Sequence, residues 1–225
     1  MASSVPVIVD SFPILLKGLL VTLQYSILGI AFSIPAGVIA GLAKLSQRRI
    51  CRYIANIYIE IFRGTPLLVQ ILFIYAGLPL ILPLQEWFGG AYLLIAATVA
   101  LALNEGAYIA EIVRGGIVSI NKGQWDASYS LGMNRTTLMI FVIMPQALKR
   151  MIPPLVNQFA QTIKDTSLLA VISGAELIYT GEVLIAKTFL AFQFWLVIAV
   201  IYFIMIYSLT RFASYLEKKF GVRKH

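Results

Sequence analysis

Asn104, Glu105 and Tyr108 lie inside one apolar run of the chain, and Gln158, Gln161, Lys164 and Asp165 inside another, weaker one. A charge at the centre of a membrane span costs about 2.5–3.5 kcal/mol on insertion scales, so such a residue has a task or a partner. Asn104, Tyr108 and Glu111 recur at +4 and +7 and share a helix face. Glu105 stands about 100° away from Asn104, at the edge of that face. Gln158, Gln161 and Asp165, at +3 and +7, form a polar stripe. Carboxylates beside amides and a phenol can receive the ammonium group of a zwitterion or a cationic side chain. Other readings stay open. Glu105 either contacts a substrate, pairs with Lys164 or Arg63 as structural glue, or stays protonated as a bystander. Asp165 either belongs to a binding site, pairs with Lys164, or caps the chain as it turns towards Thr166 and Ser167. Adjacent residues on a helix do not face each other, which disfavours the Lys164 pair.

Several other chemistries are excluded. The chain has one histidine, His225, and one cysteine, Cys51. Histidine-based proton transfer, most zinc sites and any intrachain disulfide are therefore absent. No GxxxxGK[ST] occurs, so the chain has no phosphate-binding loop of its own. A membrane-embedded enzyme would need a nucleophile with a base or a metal site, and neither pattern is present. Neither a metal nor a resident cofactor is expected.

The elements that hold these side chains follow from composition. Of 225 residues 60% are hydrophobic and 12% charged, and the mean hydropathy is +0.86. Soluble domains are nearer half apolar and a quarter charged. The pattern predicts an all-α integral membrane protein. The net charge of +8 does not indicate nucleic acid, because the basic residues gather in loops between apolar runs. The start, MASSVPVIVDSFPILLKG, lacks a basic opening and a small-residue cleavage site, so no cleaved leader is expected.

A bilayer core needs about 20 apolar helical residues. Spans are expected near residues 15–42, 54–82, 92–113 and 189–212. The run over 152–172 is ambiguous by hydropathy, and loop charge decides it. Lys44, Arg48, Arg49 and Arg52 share one loop, and Arg114, Lys122, Arg135, Lys149 and Arg150 another. Arg211, Lys218, Lys219, Arg223 and Lys224 fill the tail. The positive-inside rule makes these regions cytoplasmic. The tail can share a side with the 114–150 loop only if the weak run crosses. The expectation is five spans, N-terminus outside and C-terminus cytoplasmic, in a single domain over residues 1–225. A span as polar as the fourth must pack against other helices or line a wet cavity.

Two local features refine the spans. Glu60 and Arg63, three apart, can pair on a helix. Gly64-Thr65-Pro66 then interrupts it, with Thr65 able to cap a new helix that has Pro66 in its first turn. This is either a broken helix at membrane depth, offering backbone N–H groups to a carboxylate, or an interfacial kink with Arg63 reaching to water. Gly37 and Gly41 form a GxxxG that allows close helix contact.

The longest polar loop, residues 121–145, is more than a linker. Asn121 can cap a short helix, with Asp126 in its first turns and Trp125 and Tyr129 on one face. Gly132 suits a left-handed helix end, and Asn134 can cap a second helix running on to Pro145. The segment is either a rigid protrusion or an amphipathic helix resting on the membrane.

This segment resembles the EAA loop of ABC importer permeases, of pattern Glu-Ala-Ala, three residues, Gly, nine residues, then Ile-x-Leu-Pro. The chain reads Asp126-Ala127-Ser128, Gly132, then Ile143-Met144-Pro145. It departs in Asp for Glu, Ser for the second Ala, and a shortened ending; Asp126 keeps the charge on a shorter arm. RGTPLLVQ (63–70), AYIAEIVRGGI (107–117), KGQW (122–125) and KDTSL (164–168) follow in the order of the polar amino-acid uptake subfamily.

The resemblance implies a MetI-like permease fold in the cell (inner) membrane. It implies a coupling helix in which Trp125, Asp126, Ala127, Ser128, Gly132 and Arg135 meet a cytoplasmic ATPase dimer. It further implies a second permease subunit, the same chain or a relative, and an extracytoplasmic amino-acid-binding protein. ATP and Mg would sit on the ATPase, and this chain would not be an enzyme. Asn104, Glu105, Tyr108, Gln161, Lys164 and Asp165 are the expected substrate-binding residues. The family often has a small or neutral residue at the place of Glu105, which points to a basic amino acid (arginine, lysine or histidine). The rival is a five-span secondary transporter or channel using Glu105, Asp165 and Lys164 as ion sites; its size and the EAA-type loop argue against it.

Overall fold

The computed structural model describes residues 4–219, with side chains over 5–215. Arg223, Lys224 and His225 lie outside them. Among the described residues all regular structure is helical. Helix α1 (Ser4–Lys44) is apolar on all sides, as a helix in lipid must be. Helices α2 (Arg49–Gly64) and α3 (Leu67–Leu72) follow. A wide π-type turn and a 3-10 turn carry α3 on to Leu80. After α4 (Leu84–Phe88) comes α5 (Tyr92–Val118), the most buried helix of the fold. Helices α6 (Lys122–Ser130) and α7 (Arg135–Leu138) lead through a second wide turn, Met139–Ile143, into α8 (Met144–Asp165). A 3-10 stretch, Thr166–Ile172, ends that span. Helices α9 (Leu177–Thr188) and α10 (Ala191–Lys219) complete the described chain.

Four helical stretches are long and apolar enough to cross a membrane: 5–44, 84–118, 135–172 and 191–215. The fifth expected span, 54–82, is a pair of helices, Arg49–Gly64 and Leu67–Leu80, bent by 105°. Thr65 does not cap α3 as expected. Its hydroxyl turns back to the Ile61 carbonyl at 2.8 Å, and Pro66 takes the cap position. Proline holds that residue extended and has no side-chain oxygen to accept a backbone N–H, so no side-chain cap is formed.

The close approach of α1 to α5 organises the bundle. A Cβ at Gly37 would lie 2.5 Å from Ile109 Cγ2 and 2.8 Å from the Gly106 carbonyl, and one at Gly41 2.7 Å from the Ala110 carbonyl. The GxxxG of α1 is therefore the surface on which α5 lies. Around it sit an apolar group of Tyr25, Ile71, Tyr92, Leu101 and Leu169 and another of Ile109, Val113, Leu138, Ile143 and Met151. A third, formed by Leu15, Leu177, Leu184, Phe194 and Ile198, fastens α9 and α10 to α1. Leu20, Ile39, Phe73, Phe203 and Ile204 stay exposed, the outer face expected where lipid is the solvent.

Between the expected spans 152–172 and 189–212 lies α9. Its cap is Glu176, fully buried, whose carboxylate accepts the N–H groups of Ile178 and Tyr179 at 2.8 Å each. Burial pushes this carboxyl above its ordinary value, while the two N–H groups pull it back. Glutamate is not a preferred cap residue, so the sequence carried no clear sign of this helix.

Candidate substrate cavity and coupling surface

The bend between α2 and α3 leaves carbonyls without helical partners, and buried amides satisfy them. Asn104 of α5 donates to the Phe62 carbonyl at 3.0 Å and to Gln70 Oε1 at 3.0 Å. Gln70 Nε2 in turn donates to Phe62 O at 2.9 Å, Thr65 O at 3.1 Å and Thr65 Oγ1 at 2.8 Å. Asn104 thus holds the bend. Gln70 was not singled out from sequence; a glutamine inside the apolar run LLVQILF was the available signal. We expect Asn104→Ala to cost about 1–3 kcal/mol, since it leaves Gln70 Oε1 without its donor in a buried setting. Thermal unfolding of the detergent-solubilised transporter checks this, and an unchanged midpoint would show that the bend stands without Asn104.

Against this bend opens a polar cavity of about 570 Å³. It is lined by Arg63, Gly64, Thr65, Pro66, Leu67, Asn104, Tyr108, Gln158, Gln161 and Asp165. Of the expected site residues, Asn104, Tyr108, Gln161 and Asp165 meet here. The stripe on α8 is real: Gln161 Nε2 donates to Asp165 Oδ1 at 2.9 Å, one helical turn on. Glu105 and Lys164 are not among the lining residues. Glu105 is fully buried and accepts from Gln158 Nε2 at 2.6 Å, one side chain back from the wall. Its other oxygen, Oε1, has no hydrogen-bond partner among the described residues. Neither cation considered for Glu105 pairs with it. Lys164 is exposed, and Arg63 faces Glu111. The Glu60–Arg63 pair is not formed: among the described residues, the only acid within 4 Å of Arg63 is Glu111.

Glu111 is a hub that sequence spacing could not show. Its carboxylate meets Lys44 Nζ at 2.6 Å and Arg114 Nη2 at 3.0 Å, and Arg63 Nη1 lies 3.9 Å away. Arg63 also stacks over the Tyr108 ring, 5.2 Å from its centroid.

The segment 121–145 forms a second surface. Asn121 Oδ1 accepts from Gly123 N at 2.7 Å and Asn134 Oδ1 from Thr137 N at 2.9 Å, so both expected caps are made. Gly132 adopts φ +76°, and Met133 N reaches back to Ser128 O at 3.1 Å, closing α6 as a left-handed end. The second helix does not stop at Pro145. The wide turn 139–143 precedes the proline and absorbs its missing N–H, and the helix runs on to Asp165. Trp125 packs inward with Leu138 and Ile143, and Ser128 is buried, bonded to Gln124 O at 2.7 Å. Asp126, Ala127 and Arg135 are exposed. A groove of about 450 Å³ runs along Leu45, Ile117, Trp125, Asp126, Tyr129 and Arg135.

Comparison with known proteins agrees with this architecture. Residues 33–222 match the family described as binding-protein-dependent transport system inner membrane component. The chain is 40% identical over 215 residues to the glutamine transport system permease protein of Escherichia coli (strain K12), covering 94% of this chain and 95% of that one. It is 32% identical over 205 residues to a putative glutamine transport system permease protein of Rickettsia conorii, covering 91% and 92%. Among solved structures, an amino acid ABC transporter with histidines superposes with a TM-score of 0.85 at 35% identity, covering 94% of this chain and 96% of that one. The MetNI methionine ABC transporter, at 17% identity over 94% and 98% of the two chains, shares the fold with a TM-score of 0.79. The chain belongs to the binding-protein-dependent inner-membrane components, as a permease of the polar amino-acid family of ABC importers, in which ATP hydrolysis resides on a separate subunit.

Proposed function

We propose that this chain conducts a polar amino acid through the cavity between the α2–α3 bend, α5 and α8, driven by ATP hydrolysis on partner subunits. The observation that carries the reading is the cavity itself. It is large enough for an amino acid and walled by Asn104, Tyr108, Gln158, Gln161 and Asp165 in an otherwise apolar bundle. Three carboxamides suit a substrate that itself bears an amide, and the Escherichia coli relative named above is a glutamine permease. In this reading the N-terminus is outside and the C-terminus cytoplasmic. An extracytoplasmic binding protein delivers the substrate, and a second permease, the same chain or a relative, completes the pathway. A cytoplasmic ATPase dimer carries ATP and Mg and grips the surface of Trp125, Asp126, Ala127, Ser128, Gly132 and Arg135. Rigid-body closure of the ATPases then passes through α6 and α7 into α8, which carries the cavity stripe.

A second reading, a basic amino acid, is favoured by one observation. Asp165 in the wall is backed by Glu105, whose buried carboxylate meets no lysine or arginine among the described residues. Uptake of labelled glutamine, arginine and lysine by the intact transporter in right-side-out vesicles, with the binding protein outside and ATP within, separates the two. Glu105→Gln keeps the shape and removes the charge. If the substrate is basic, this change weakens arginine or lysine uptake roughly tenfold or more, as for loss of one charge acting across a low-dielectric wall, and barely alters glutamine uptake. Equal losses for both, or none, rule out a charge-selecting role for Glu105.

A further inference from the structure

We infer that Arg63 takes the substrate's α-carboxylate, with Glu111 as the positioning residue that holds the guanidinium at the cavity wall. The inference rests on the amino-acid reading above and adds to it the residue that would read the carboxylate end. Arg63 and Asp165 are the one basic and the one acidic residue lining the cavity. A zwitterion presents both signs, and the wall carries both.

The charge on Arg63 is not used up elsewhere. Glu111 Oε1 is taken by Lys44 at 2.6 Å, and Oε2 by Arg114 Nε and Nη2 at 3.0 Å each. Arg63 Nη1 stands at 3.9 Å from Oε2, beyond hydrogen-bond length. One carboxylate thus faces three cations, and Arg63 is the one held most loosely. Among the described residues no other carboxylate lies within 4 Å of it. Its side chain keeps 41% of its surface exposed, more than Lys44 or Arg114 at 23% and 36%. The guanidinium carbon lies over the Tyr108 ring, 5.2 Å from its centroid, and Tyr108 lines the same cavity. An attraction to a ring uses none of the N–H groups that match a carboxylate with two parallel bonds. Glu111 supplies the remaining constraint: long-range attraction without a competing hydrogen bond. The position follows from the chain, since Arg63 occupies the last turn of α2 immediately before the Gly64–Pro66 bend that opens the cavity.

The test uses the assembled permease–ATPase complex without its binding protein. Labelled glutamine and labelled arginine are each displaced by the unlabelled amino acid and by its decarboxylated counterpart, 4-aminobutanamide or agmatine. In the natural protein the decarboxylated competitor should be weaker by roughly 10- to 100-fold, the effect of one charge-assisted contact. In Arg63→Gln that ratio should collapse towards one, because the parent amino acid loses affinity while the analogue does not. Arg63→Lys, which keeps the charge without the fork, should give an intermediate ratio and serves if Arg63→Gln does not assemble. An undiminished ratio in either variant overturns the inference, as does a natural protein that cannot distinguish amino acid from analogue. In both cases the amino-acid reading survives. A natural protein that binds neither amino acid overturns that reading and this inference with it.

Discussion

Gly37→Val is expected to prevent stable assembly of the permease. The new side chain would begin 2.5 Å from Ile109 Cγ2 and 2.8 Å from the Gly106 carbonyl oxygen. Ile109 is a buried side chain with little room to turn, and the carbonyl is backbone that cannot move without displacing α5. Overpacking of this kind costs about 1–3 kcal/mol when side chains can adjust, and more when a helix backbone must yield. Helix association in lipid has no hydrophobic drive between helices and depends on such close approach. The contact also sets Asn104 and Tyr108, on the same α5, against the α2–α3 bend. Gly115→Ala, on α5 with open space around it, is the control. Expression level and melting midpoint of the two variants decide the matter: Gly37→Val should be depleted or melt many degrees lower, and Gly115→Ala should behave as the natural protein. Equal behaviour would show that α1 and α5 are not held by this contact.

Gly132→Pro is expected to separate ATP hydrolysis from transport. Gly132 sits at φ +76° and donates its N–H to the Tyr129 carbonyl at 2.9 Å. Proline fixes φ near −65° and has no N–H, so both the turn and the bond are lost. It also drives Leu131, now in a near-helical conformation, towards an extended one. The elbow between α6 and α7 would then point the Trp125–Tyr129 surface elsewhere, while the spans, built from other contacts, remain. Gly132→Asn, which tolerates the left-handed region, should retain function. ATP hydrolysed per molecule of substrate moved is the readout. The proline variant should hydrolyse with uptake reduced tenfold or more, in the sense that a misdirected contact removes most transmitted motion. Unchanged stoichiometry would mean that the segment merely lies on the lipid surface.

Features governed by near neighbours in the chain were readable in advance. Asn121 and Asn134 made their caps, Gly132 its left-handed end, and Gln161 its contact with Asp165 one turn on. Glycines four apart were enough to mark the face of α1 that α5 covers. The helix break at Gly64–Pro66 was readable too, although its capping chemistry was not. Proline removes a donor predictably, whereas the choice of Thr65 to bond back to Ile61 depends on the 105° bend. Pairings across distant segments were beyond reach. Lys44 and Glu111 are 67 residues apart and Gln70 and Asn104 are 34 apart; helix crossing geometry, not local period, brings them together. Local spacing proposed Glu60 for Arg63, and tertiary packing supplied Glu111. In the same way Glu105 was offered two cations and found an amide, Gln158, because α8 presents its glutamines to α5.

The wide turn at Met139–Ile143 has a geometric consequence for the whole molecule. It holds one residue more than an α-helical path requires, and one residue amounts to a rotation of about 100°. That surplus sets the phase between the two ends of a single continuous rod. At one end Arg135 and the α6 elbow look into the groove beside Leu45, and at the other Gln158, Gln161 and Asp165 look into the cavity. Excising a residue from the turn would leave the rod long and apolar enough to cross a membrane. It would also swing the cavity stripe by more than a quarter of a revolution, out of the wall and into the fatty surroundings. The register of this one turn therefore acts as a keyway: it fixes which compass direction the cavity stripe faces for a given direction of the elbow.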